Sequence, residues 1–105
     1  MSEDRELNNL ISAITSYAVP RSILLFGSRV REAARTDSDF DLCVIYDRLP
    51  KRNLEVMQDL YRSIFLIARH PVDLVVYQAD HFEERALCRG TLESAIRTEG
   101  RVIYG

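Results

Sequence analysis

The chain has 105 residues, 14 basic against 16 acidic side chains, a formal net charge of -2 and 47% hydrophobic residues, which describes one small soluble domain over residues 1–105. Counterion release needs a basic surface, so this near-neutral balance excludes a binder driven by bulk charge and no direct nucleic-acid partner is expected. Apolar runs such as Ile23-Leu24-Leu25-Phe26 and Ile64-Phe65-Leu66-Ile67-Ala68 fall far short of the ~20 residues of a membrane span, and the acidic start Met1-Ser2-Glu3-Asp4-Arg5 has no signal-peptide pattern, so no membrane role is expected.

Leu7, Leu10, Ile11 and Ile14 recur at helical spacing and predict an amphipathic helix over residues 3–17, closed by Pro20. Residues 22–26 form a short apolar stretch ended by Gly27-Ser28, as for a buried strand running into a tight turn, and residues 30–35 read as a short helix. A second central strand is predicted over residues 39–46, then a loop with Pro50 over residues 47–53. Residues 54–68 carry apolar side chains on a three-four rhythm and predict a helix stopped by His70-Pro71. A third, mostly β-branched strand follows over residues 72–77. Two short helices, residues 79–87 and 92–98, are split by Gly90, and residues 102–104 suit a short edge strand. The fold class is therefore α/β, a small mixed sheet with helices packed mainly on one face. Cys43 and Cys88 lie in apolar contexts without paired spacing, which predicts buried thiols in a reducing cytoplasm and neither disulfide nor zinc site.

Asp39-Phe40-Asp41 opens the second strand. Residues two apart on a strand face the same way with Cα atoms about 6.6 Å apart, so two carboxylates project together. Such a pair repels unless a cation or a shared proton intervenes, and hard divalent ions held by one or two carboxylates plus phosphate fit it. Read alone, the pair is first of all a solvated strand end. Asp73 opens another apolar strand and can complete a three-carboxylate cluster, or serve only as a strand-end cap. Gly27-Ser28-Arg29 follows the first strand, where glycine permits close backbone approach and Ser28 offers hydroxyl and amide to a phosphate. Residues 21–35 hold four arginines against one glutamate, whereas residues 37–47 hold four aspartates and no base. A cationic cradle followed by an acidic strand is the layout expected of a magnesium-nucleotide site.

The string Gly27-Ser28-Arg29-Val30-Arg31-Glu32-Ala33-Ala34-Arg35-Thr36-Asp37-Ser38-Asp39-Phe40-Asp41-Leu42 resembles the signature of the minimal nucleotidyltransferases in the DNA polymerase β-like superfamily. Val72-Asp73-Leu74-Val75-Val76-Tyr77, Phe82-Glu83 and Glu99-Gly100-Arg101-Val102-Ile103-Tyr104 are similar to its closing part, so the resemblance runs over about residues 23–104. It implies that Gly27 and Ser28 hold the triphosphate of ATP, that Asp39 and Asp41 bind two Mg²⁺ ions, and that Asp73 shares a metal or acts as base. Arg29 and Arg35 are implied as phosphate contacts, or alternatively as salt-bridge partners of Asp37 or Glu32. Glu32 stands where the family often has glycine, and its side chain would narrow the phosphate path or repel the triphosphate. Thr36, in place of a frequent proline, is a milder departure.

The implied reaction is in-line attack on the α-phosphorus of a nucleoside triphosphate with release of pyrophosphate. The resemblance also implies a partner: such short proteins resemble the antitoxin half of two-gene modules whose other half is a helical HEPN-type ribonuclease toxin, so the expected acceptor is a tyrosine of that toxin. The rival reading is a binding module that neutralises its partner by occlusion. Oligomeric state is left open. His70, His81 and the five tyrosines are expected to be structural, at the core or its rim.

Overall fold

The computed structural model describes residues 2–31 and 39–105, with side chains from residue 5 onward except those of residues 28 and 31. The elements run α1 (Ser2–Tyr17), β1 (Ser22–Phe26), α2 (Ser28–Arg31), β2 (Phe40–Tyr46), α3 (Asn53–Ile64), β3 (Val72–Gln78), α4 (Ala79–Ala86), α5 (Leu92–Glu99) and β4 (Arg101–Tyr104). The four strands form one mixed sheet in the order β3-β2-β1-β4. β1 is antiparallel to both β2 and β4, whereas β2 and β3 are parallel and need the crossover that α3 supplies.

Strand alternation sorts the core into two layers. Leu42, Val44 and Tyr46 of β2 pack with Leu7, Leu10 and Ile14 of α1 and Val56, Leu60 and Ile64 of α3. Cys43 and Ile45 face the other way, with Leu24, Phe82 and Ala86 of α4 and Ile96 of α5. The two long helices therefore cover one face, as expected, and the two short ones cover the middle of the other. The reason lies in β2, whose run from Leu42 to Ile45 is apolar on both sides and fully buried. Burial at roughly 1.5–3 kcal/mol per large aliphatic side chain favours covering both faces.

The predicted helix over residues 54–68 stops at Ile64. Its rhythm continues in sequence, yet Phe65 is 77% exposed and Leu66 91% exposed. The chain instead turns, with the amides of Ile67 and Ala68 both donating to the Ile64 carbonyl, because Pro71 and the tethering of residues 69 and 70 to α1 redirect it into β3. The short helix begins at Ser28 rather than residue 30, and residues 32–35 of that expectation lie outside the described residues. Cys43 is buried, and burial pushes its thiol up to about 12. Cys88, expected to be buried, is exposed, since α4 ends at Ala86 and Cys88 has left its buried stripe of Ala79, Phe82 and Ala86. Both are free thiols. No helix among the described residues is long and apolar enough to cross a membrane.

Candidate active site

Strand direction gathers the chemistry on one edge. β1 ends where β2 and β3 begin, so Phe26 stands opposite Asp41 and Asp41 opposite Asp73. Neighbouring strands are about 4.8 Å apart and register partners point the same way. Asp41 shares its face with Cys43 and Asp73 with Val75, which is the face carrying α4 and α5. Asp39 precedes Asp41 by two residues at the same edge. Asp41 is half-buried, whereas Asp39 and Asp73 are exposed.

Gly27 closes β1 with φ +79°, a left-handed conformation that favours glycine. A Cβ there would collide with the Asp41 carboxylate, whose Cγ would lie 3.0 Å away. The turn is therefore bare backbone beneath a carboxylate, and Gly27 is required both by its conformation and by the approach of Asp41. The Gly27 carbonyl accepts from the Val30 amide at 3.1 Å, tying the turn to α2.

Arg29, expected as a phosphate contact or a salt-bridge partner of Asp37 or Glu32, is only 4% exposed, and its guanidinium carbon lies 3.8 Å from the centroid of the Phe40 ring. Phe40 separates the two aspartates and is fully buried. The His70 ring meets Phe40 edge-on at 5.7 Å, and His70 Nδ1 lies 2.7 Å from Glu6 Oε1. Glu6 Oε2 accepts from the amides of Arg69 at 2.7 Å and His70 at 3.0 Å. Burial raises the Glu6 carboxyl, but these amides and the His70 ring outweigh it and hold the group below its ordinary value. A continuous array, Glu6–His70–Phe40–Arg29, thus braces the starts of β2 and β3 and the turn after β1.

Ser28 begins α2, and its side chain lies outside the described residues, as do Glu32, Arg35, Thr36 and Asp37. Among the described residues no three His, Cys, Asp or Glu side chains converge closely enough to hold a metal ion. Asp39, Asp41 and Asp73 share an edge without forming a closed cage. Mg²⁺ still fits this edge by donor chemistry, since it keeps several waters and binds through one or two carboxylates plus substrate phosphates.

Two buried acids escaped the sequence reading. Glu6 is 5% exposed and Glu93 is 6% exposed. Each had a signal: Glu6 is four residues before Leu10 on the buried stripe of α1, and Glu93 is three before Ile96 on that of α5. Glu93 accepts from the Tyr77 hydroxyl at 2.6 Å and pairs with Arg85 Nε at 3.2 Å, while its Oε1 is buried without a hydrogen bond. These contacts anchor α5 beside the acidic edge.

The sequence profile described as "Polymerase beta, Nucleotidyltransferase" matches residues 8–105. Among solved structures, a Sulfolobus solfataricus protein assigned as a nucleotidyltransferase is similar at 18% identity and a TM-score of 0.55, over 76% of this chain and 70% of that one. A toxin-antitoxin complex with AMP-PNP is similar at 22% identity and a TM-score of 0.57, over 93% of this chain and 72% of that one. A mutant of the toxin-antitoxin pair MntA-HpeT is similar at 21% identity and a TM-score of 0.56, over 93% of this chain and 71% of that one. At these identities the likeness is one of fold. No curated protein matches the chain in sequence.

Proposed function

The chain belongs to the polymerase β nucleotidyltransferase family, and from that premise we propose that it transfers AMP from ATP to a partner protein, as the antitoxin that adenylylates a HEPN-type ribonuclease toxin. The observation that carries the transferase reading is the placement of Gly27, Asp41 and Asp73 side by side on one sheet edge. The toxin assignment is supported by the fold likeness to two toxin-antitoxin structures, one of them with AMP-PNP.

In this reading Asp39 and Asp41 hold two Mg²⁺ ions, with Asp73 as a shared ligand or base. Bound ions of that kind supply positive charge to the entering and leaving oxygens of the displacement. Gly27 and the amide of Ser28 receive the triphosphate, where a side chain at residue 27 would already collide with Asp41. Asp73 accepts the proton of the acceptor hydroxyl. Residues 1–105 act as one domain, and the acceptor is a separate protein in the same compartment, the cytoplasm.

Incubation with ATP, Mg²⁺ and a cognate toxin is expected to add one or more adenylyl units to the toxin, read by intact mass, and the modified toxin stays inactive once this protein is removed. An unchanged toxin mass overturns the transferase reading. One observation favours a second reading, neutralisation by occlusion: the turn after α3 exposes Phe65 and Leu66 at 77% and 91%, apolar surface of the kind that partners cover. Occlusion alone would let toxicity return on separation.

A further inference from the structure

Glu6, a buried acid on α1, reaches the acidic edge by two routes. The first runs through backbone. Its Oε2 accepts from the amides of Arg69 and His70, which fixes the segment that enters β3 at Val72 and presents Asp73 one residue later. Pro71 carries the same restraint across to β2, since its carbonyl accepts from the Phe40 amide at 2.9 Å. The second route runs through side chains. Glu6 Oε1 lies beside His70 Nδ1, the His70 ring stands at 90° to the ring of Phe40, and Phe40 is fully buried between Asp39 and Asp41 in the chain. A ring held in place there fixes the backbone on either side of it, from which the two carboxylates extend.

Position 6 adjoins the buried stripe of Leu7, Leu10 and Ile14 on α1, where an apolar side chain would pack without the cost of desolvating a charge. What the carboxylate adds is direction, because its three polar contacts converge on the two residues that lead toward Asp73. We infer that Glu6 is a positioning residue for the acidic edge, holding Asp73 through the backbone of residues 69 and 70, and Asp39 and Asp41 through His70 and Phe40. The inference rests on the nucleotidyltransferase reading above, in which these three aspartates bind Mg²⁺, and it adds a residue that acts on them only through others. Groups that orient metal ligands from behind change metal affinity by about 10–100-fold when they are removed.

The test uses Glu6→Leu, which keeps apolar bulk and a good helix former on α1 but removes the acceptor, and Glu6→Gln, which keeps one acceptor oxygen. In metal-free protein, amide hydrogen exchange read by NMR should be at least about tenfold faster at Phe40 in Glu6→Leu, while Val44, farther along β2, changes less than about twofold. In calorimetry, at a temperature where every variant is folded, the Mg²⁺ concentration that half-saturates ATP binding should rise about 10–100-fold in Glu6→Leu and less in Glu6→Gln. Ile14→Val, which loosens the same helix in the core, should leave that concentration unchanged. Exchange that rises equally at Phe40 and Val44 overturns the inference. So does a Mg²⁺ requirement that stays at the parental value or moves as far in Ile14→Val, and Glu6 is then only a tie between α1 and the turn before β3. Should Glu6→Leu fail to fold, the same comparisons on Glu6→Gln decide. If the parent protein binds no ATP with Mg²⁺, the nucleotidyltransferase reading fails instead, and exchange at Phe40 still decides whether Glu6 holds the edge.

Discussion

The guanidinium carbon of Arg29 lies over the ring of Phe40, 3.8 Å from its centroid, so the arginine that follows Gly27 and Ser28 packs on the residue that separates Asp39 from Asp41. Desolvated cation–π contacts of this kind contribute about 2 kcal/mol. Arg29→Met, which keeps the aliphatic bulk, should lower stability by about 1–2 kcal/mol in urea denaturation. Arg29→Lys should recover only part, because a compact ammonium is more strongly hydrated than a guanidinium. A variant as stable as the parent that has lost ATP would make Arg29 a phosphate contact instead.

Gly27 and Gly90 both have positive φ, +79° and +83°, but only Gly27 faces an obstacle, the Asp41 carboxylate, whereas a Cβ on Gly90 would meet nothing within 4 Å. Gly90→Ala should cost only the left-handed backbone penalty, about 1–2 kcal/mol, and leave nucleotide binding unchanged. Gly27→Ala should cost more and also displace Asp41, abolishing Mg²⁺-dependent ATP binding in calorimetry. Equal losses of stability and full ATP binding in both variants would show that the collision at residue 27 is relieved without consequence.

The strands were legible because their signals are local: apolar runs bounded by Gly27, Pro50 and Pro71 place β1, β2 and β3 to within a residue or so. The facing of Asp41 and Asp73 was implied by two strand-opening acids, but their register needs the parallel pairing, a contact 32 residues apart that no local pattern encodes. The end of α3 was misjudged because hydrophobic rhythm continues through Phe65, which the chain then leaves in solvent. Arg29 was open between phosphate and carboxylate partners, since sequence reports its charge and not the ring it stacks upon. Glu6 was overlooked for the same reason: its partners, Arg69 and His70, lie more than sixty residues away.

Glu6 gives the brace a pH signature. Its carboxyl is held below its ordinary value of 4.5, so the native state favours the carboxylate. That contribution is fully present above 4.5 and is lost as pH falls through the depressed native value. The melting temperature of the parent should therefore drop on acidification below that point. Glu6→Gln should start about 1–3 kcal/mol less stable at neutral pH, because a single amide oxygen cannot accept from both amides and the His70 ring. Its acid-induced drop should be smaller. A drop of equal size in parent and variant would place the acid-sensitive group elsewhere.

Asp41 and Asp73 stand opposite one another on parallel strands, an arrangement that costs stability where no cation sits between them, since like charges directly opposite are destabilising by about 0.2–1 kcal/mol. Asp73→Asn should thus raise stability in metal-free buffer by about that amount, and Mg²⁺ should narrow the difference by screening the pair in the parent. Its effect on transfer runs the other way. Loss of a positioned base lowers rate by about 10²–10⁴-fold, so adenylylation of a partner should fall that far while affinity for ATP falls much less. Asp41→Asn, beside Gly27 and proposed above to hold Mg²⁺, should instead weaken Mg²⁺-dependent ATP binding itself. Calorimetry and intact-mass kinetics on the two variants separate these roles. An Asp73→Asn protein that is no more stable and transfers AMP at the parental rate would remove Asp73 from the site and leave it a strand-end residue.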